Sequence, residues 1–253
     1  MGTHNEWQAR MQPAFFWLHV KKSAGISTRQ LLEPHYLTVD RGNRPECFLQ
    51  ADQSAWNDIL NNYRMVLGNY QFRRSLFAKT YLYPDTWDDM VSFAFAREPV
   101  SRCVSMFYYL FWETGMRGLR KHLDVFMRLR RVPVTTGRAF DLFLDVLEEA
   151  PRSPTNLRPI SLHFTTHTAP MWGDVADDDG NVLLTRIYRL ENLNRGIDEV
   201  YEMCGLPPRE VAARDNVVVN RTRRKGGYRP SPAQRRRIEQ IFAKDFDLYE
   251  NAL

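Results

Sequence analysis

Residues 15–32, FFWLHVKKSAGISTRQLL, decide how the rest of the chain is read. The compact aromatic and β-branched run at 15–20 predicts a buried strand. It breaks into Lys21, Lys22, Ser23, Ala24 and Gly25, and apolar residues then return at helical spacing as Ile26, Leu31 and Leu32. A strand, a small-residue loop carrying lysine, and a helix make an anion cradle. Amide hydrogens at the helix start face the ligand, the helix dipole favours negative charge, and the lysine adds a point charge. The small side chains of Ser23, Ala24 and Gly25 let an anion approach the backbone, and Ser27 supplies a first-turn hydroxyl. The order is not that of a Walker A loop, whose lysine follows its last glycine, because Lys22 precedes Gly25. Read alone, the stretch also fits an ordinary strand-to-helix turn with a surface lysine.

Composition narrows the class. A chain of 253 residues, 43% hydrophobic and 26% charged, can bury the core of one globular α/β domain, here expected to span 1–253. No apolar run approaches the roughly 20 residues that cross a bilayer, and residues 1–13 lack the apolar centre of a signal peptide. Cys47, Cys103 and Cys204 are odd in number and widely spaced, which argues against a disulfide framework or a structural zinc site. These features predict a reducing, cytoplasmic setting and no metal. A net charge of +5 predicts an anionic partner, either nucleic acid or a small polyanionic nucleotide.

Further strands are expected at 65–70, at 91–96 and at 183–190, with helices at 54–62, 99–111, 139–149, 191–204 and 231–248. Residues 75–89 read as irregular, and 156–168 as a helix or a loop over a site. Pro99 suits a first helical position because its missing N–H is not needed there. Strands alternating with helices imply a central parallel sheet flanked by helices, with ligands outside the carboxyl ends of the strands. That edge is expected to carry Lys22, Asn69, Arg97 and Glu191.

The nine residues His19 to Ser27, HVKKSAGIS, resemble the 5′-phosphosulfate loop of the carbohydrate-type and related bacterial sulfotransferases, H-[IV]-P-K-T-[GA]-G-T-S, at six positions. Lys21 stands in place of proline, Ser23 in place of the first threonine and Ile26 in place of the second. The nine residues from Arg97, REPVSRCVS, keep every fixed position of the family's R-[DE]-P-x-x-R-x-x-S segment. The chain is similar to that family in both motifs and in their order. The resemblance is weaker at 187–205 and 220–228, where Arg224, Lys225 and Gly226 resemble a loop that closes over the 3′-phosphate.

The resemblance implies a P-loop-NTPase-like sulfotransferase fold and in-line transfer of a sulfuryl group from 3′-phosphoadenosine 5′-phosphosulfate (PAPS) to an acceptor hydroxyl on a sugar, tyrosine or small metabolite. It assigns the 5′-phosphate to the loop from Lys22 through Ser23, Ala24, Gly25, Ile26 and Ser27, and the 3′-phosphate to Arg97 and Ser105. Lys22 stabilises charge on the bridging oxygen. Ser105 lies eight residues from Arg97, roughly two helical turns away and on the same face. Arg102 faces elsewhere and is expected to pair with an acid.

Many carbohydrate-type relatives end the strand before this segment in Gly-His, the histidine being the base; here the matching residues are Gly68 and Asn69. Asparagine orients a hydroxyl but takes no proton at neutral pH, so Asn69 marks the position without supplying the base. His35, Glu33, His163, His167 and Asp89 are the other candidates, and no spacing singles one out. The arginine-rich segments at 117–131 and 221–237 suit an anionic acceptor such as an acidic glycan, or are a solvated face. Three alternatives stand beside this reading: a small-molecule kinase of the P-loop type, a non-catalytic nucleotide- or nucleic-acid-binding protein, and a sulfotransferase that binds PAPS without turnover.

Overall fold

The computed structural model describes residues 14–40, 42, 45–62, 65–112, 135–149, 159–209 and 227–253. Three parallel strands, β1 (Phe15–Leu18), β2 (Val91–Ala96) and β3 (Arg186–Arg189), form a sheet in that order. Phe15 pairs with Val91 and Leu18 with Ala94, while Phe93 pairs with Arg186. Successive strand residues point to opposite faces, and both faces are covered. Phe16, Leu18, Ala94 and Ala96 join one apolar cluster, whereas Phe15, Trp17, Phe93, Phe95 and Tyr188 join another. This two-sided burial explains why the strands read as continuous apolar runs.

Helix α1 (Gly25–Leu32) follows β1 and buries Leu31 and Leu32 against the second cluster. Helix α2 (Gln53–Asn62) lies beside the free edge of β1, where its amides act as a substitute strand. Asn57 Oδ1 accepts from Trp17 N at 3.1 Å, Asn57 Nδ2 donates to Trp17 O at 3.0 Å, and Asn61 Oδ1 accepts from His19 N at 2.8 Å. Helix α3 (Arg74–Phe77) runs on as a π-helical turn, Ala78–Leu82. After β2, Glu98 caps α4 (Pro99–Phe107) by accepting from Val100 N and Ser101 N, with Pro99 in the first turn. Helices α5 (Thr136–Glu149), α6 (Pro159–Thr168) and α7 (Met171–Val175) lead to β3 and α8 (Leu193–Met203). Helices α9 (Pro232–Ile241) and α10 (Ala243–Glu250) end the chain, and Leu253 closes the outer edge of β3. Leu253 N donates to Ile187 O at 2.9 Å and its carbonyl accepts from Arg189 N at 2.7 Å.

The expected strand at 65–70 is a correction. Residues Gly68–Tyr70 form a 3-10 turn, Gly68 has φ of +57°, and Val66 is 84% exposed, which no buried strand allows. Gln71 holds the turn by accepting from Leu67 N at 3.2 Å. Residues 75–89, expected to be irregular, contain the end of α3 and its π-helical continuation. The single closing helix is two helices, parted at Phe242 because Asp245 is drawn inward. Its carboxylate is fully buried, accepts from Met171 N and Trp172 N at 2.9 Å each, and pairs with Arg102 at 3.3 Å. The arginine-rich segment at 117–131 lies outside the described residues.

Breaking a buried ion pair strands a charge, whereas an exposed pair contributes little. Asp245→Ala is expected to cost about 3–5 kcal/mol in denaturant unfolding. Arg237→Ala, which removes exposed contacts to Asp145 and Glu148, is expected to cost less than about 1 kcal/mol.

Candidate functional site

The loop between β1 and α1 turns sharply through two non-glycine residues with left-handed backbones, Lys22 (φ 69°) and Ala24 (φ 53°). Such conformations are costly and persist where surrounding contacts enforce them. Arg97 NH1 donates to Lys22 O at 3.1 Å, and Arg102 Nε donates to Lys21 O at 3.1 Å. The second arginine-bearing motif thus grips the backbone of the loop. Gly25 is fixed by close approach: a Cβ there would stand 1.8 Å from Nε2 of His19. The His19 ring is itself stacked on Trp17, with centroids 5.2 Å apart, so it has little room to yield.

These contacts shape an anion-sized recess. No side chain caps α1, and the amides of a helix start are the groups that anions take up. Ser23 is 2% exposed, and its Oγ has no hydrogen-bond partner among the described residues. An orphaned hydroxyl beside uncapped amides fits a phosphate oxygen. Ser27 is buried in the first turn, whereas Ile26 is 66% exposed and offers only its backbone.

Arg97 leaves β2 at the same edge. Its Nε donates to Ser101 Oγ at 3.0 Å, and burial lowers its basicity, opposed by the charges of Glu191 and Glu98. Beside it opens a cavity of about 270 Å³, lined by Arg97, Ser101, Ser105 and Tyr108 from one side and by Arg229 and Arg235 from the other. Arg229 and Arg235 were not singled out from sequence. Their signal was the capping box at Ser231 and Gln234, which sets the orientation of α9 and so of Arg235.

A further cluster lies around Tyr109. Lys22 Nζ sits 4.0 Å from the centre of its ring, and His167 stacks on that ring with centroids 4.8 Å apart. His167 Nδ1 donates to His163 O at 2.9 Å, which leaves Nε2 as the accepting nitrogen. Burial, with Lys21 and Lys22 adding their charge, drives the His167 pKa down to about 3. His19 is likewise held well below its ordinary value by burial, then by Lys21, Arg74 and Arg29.

The structure therefore brings together Lys22, the Ser23–Ser27 loop, Arg97 and Ser105, with His167 alongside. It does not bring Asn69 or His35 to them. Asn69 sits exposed on the Gly68–Tyr70 turn rather than at a strand's carboxyl end. His35 lies just beyond the far end of α1, edge-on to Tyr201 at 5.4 Å. An eight-residue helix separates it from the loop by about 12 Å. Arg224, Lys225 and Gly226 lie outside the described residues. No group of metal-ligating side chains occurs among the described residues.

Residues 10–251 match the profile of the group described as the sulfotransferase family. The chain belongs to the sulfotransferase family. No curated protein and no solved structure matches it. Sulfotransferases move a sulfuryl group, generally from PAPS. In this sulfotransferase the two motifs that carried the resemblance meet through the hydrogen bond from Arg97 to the Lys22 carbonyl.

Neutral His19 and His167 give the sulfotransferase a pH dependence of definite sign. Below about pH 6.5 the unfolded chain binds protons on both rings and the fold does not, so acid favours unfolding. Stability is expected to be full above that pH and to fall progressively as the pH drops below it. Urea denaturation at pH 7, 6 and 5 reads this, and His167→Asn is expected to remove about half of the slope.

Proposed function

We propose that this sulfotransferase uses PAPS as its donor and transfers the sulfuryl group to an acceptor hydroxyl. The observation that carries the reading is the joining of two anion-sized recesses by Arg97. The loop at residues 22–27 suits a 5′-phosphate, and the cavity at Arg97 and Ser105 suits a 3′-phosphate on the same nucleotide. Arg97, Arg229 and Arg235 supply the positive field there, and the hydroxyls of Ser101 and Ser105 add neutral donors. PAPS supplies a sulfuryl group on a phosphate leaving group: the bond from sulfur to the acceptor oxygen forms while the sulfur–oxygen bond to the phosphate breaks, its electron pair staying on the phosphate.

The chain's own residues then have separable tasks. Lys22, drawn from its rest over Tyr109, places its ammonium against the charge that develops on the leaving oxygen. The α1 amides hold the phosphate in line, and Ser23 Oγ gains the acceptor it lacks. His167 Nε2 takes the acceptor proton in place of the histidine that Asn69 replaces. Its ring is neutral, with Nε2 as the accepting nitrogen, and the acceptor oxygen becomes strongly acidic as its bond to sulfur forms.

Calorimetric titration with adenosine 3′,5′-bisphosphate tests the donor site. Binding is expected, weakened by roughly 10- to 100-fold in Arg97→Ala and by several-fold in Ser105→Ala. Folded protein that ignores the bisphosphate but binds ATP, or RNA with a steep salt dependence, overturns the reading in favour of a kinase or a nucleic-acid-binding protein. Lys22→Ala is expected to lose about 10²–10³-fold in kcat. His167→Ala is expected to lose about 10²-fold in kcat or more while still binding the bisphosphate.

A further inference from the structure

Beside Lys22 and His167 lies a second cavity, of about 230 Å³, whose polar lining includes Lys21, Asn61, Gln71, Arg74, Thr166 and His167. Its cations are already committed. Lys21 Nζ donates to Asn61 O and lies 3.3 Å from His19 Nδ1. Arg74 pairs with Asp174 at 2.7 Å and donates to His19 O at 3.1 Å. Besides those cations the walls present amides, a hydroxyl and an imidazole, the arrangement that hydroxyl groups satisfy because they both donate and accept. One group points to a missing partner: Arg74 has a side chain 9% exposed, and its NH1 has no hydrogen-bond partner among the described residues. The volume lies below the range of about 300–1,000 Å³ usual for a whole small ligand, so only a ring-sized head fits.

The rest of such a ligand has a place to go. Leu67 lines this cavity and also a neighbouring, more open groove of about 460 Å³. That groove is walled by Phe48, Trp56, Tyr70, Phe77 and Tyr81, with Leu49 91% and Tyr81 56% exposed at its rim. Asn69 lies on this groove. The groove thus sets an aromatic surface directly beside the polar pocket, with Leu67 shared between them.

We infer that the acceptor is an amphiphile: a hydroxylated, ring-sized head in the pocket at His167 and an aryl or alkyl body along the Trp56–Phe77–Tyr81 groove. The inference rests on the sulfotransferase reading above and names the acceptor class of that same site. It differs from the acidic glycan that the arginine-rich segments suggested in giving the acceptor an apolar body, for which the groove is lined by aromatic side chains.

The experiment titrates the protein, with and without adenosine 3′,5′-bisphosphate, with glucose, phenyl β-glucoside and octyl β-glucoside, the last below its micelle concentration. The two glucosides are expected to bind at least about tenfold more tightly than glucose, because their bodies bury apolar surface. Tyr81→Ala is expected to erase most of that advantage, and Gln71→Ala to weaken all three probes alike. Equal affinity for the three, binding of none, or an octyl advantage untouched by Tyr81→Ala overturns the inference. The bisphosphate arm separates the failures. Loss of nucleotide binding sinks the donor site, while the nucleotide-free titrations still decide the acceptor class.

Discussion

The phosphate-sized loop exists because two guanidinium groups hold its backbone. Arg97 and Arg102 come from one motif and donate to the carbonyls of Lys22 and Lys21 in the other. Arg102 is 3% exposed and also donates to Ala169 O at 2.7 Å while pairing with Asp245. Asp245 in turn anchors the start of α7 through two backbone amides. A single buried cation therefore joins the loop, α4, α7 and α10. An ion pair of this kind contributes little net stability compared with apolar packing, yet removing either partner is costly. Its value is positional: it enforces the left-handed turns at Lys22 and Ala24 that aim the loop amides outward.

Around that anchor the charges are arranged by degree of commitment. Arg102 and Arg74 are neutralised within the fold, by Asp245 and Asp174 respectively. Arg229 and Arg235 stand exposed at the rim of the 270 Å³ cavity beside Arg97, where they attract an anion. Lys22 lies between these extremes, resting on the π-face of Tyr109. A contact of this kind contributes about 0.5–2 kcal/mol. The same ring carries His167 on its stack, so Lys22 and His167 meet at one aromatic side chain.

Much of this was legible in the chain. Strands β1 and β2 and the helices that follow them are encoded by local runs, by Pro99 and by small residues in the loop. The pairing of Arg102 with an acid followed from its phase on α4, although the identity of Asp245, far along the chain, did not. Residues 65–70 misled because their apolar letters match a strand, while Gly68 adopts a left-handed turn and Val66 faces solvent. His167 was one of several candidate histidines and acids in the sequence, and its placement was not legible. It depends on stacking against Tyr109 and on a carbonyl one helical turn away, and no sequence spacing reports the first of these.

The sheet has only three strands among the described residues, and neither of its edges presents an open ladder. The asparagines of α2 occupy the outer side of β1, and Leu253 occupies the outer side of β3. A sheet finished in this way resists edge-to-edge association. It also rules out one mode of recognition. An extended peptide cannot be taken up as an additional strand along β1 or β3, because its backbone would have to displace an amide pair or the chain's own last residue. A tyrosine-bearing partner would have to be recognised through its side chain, in a cleft, and not through its backbone.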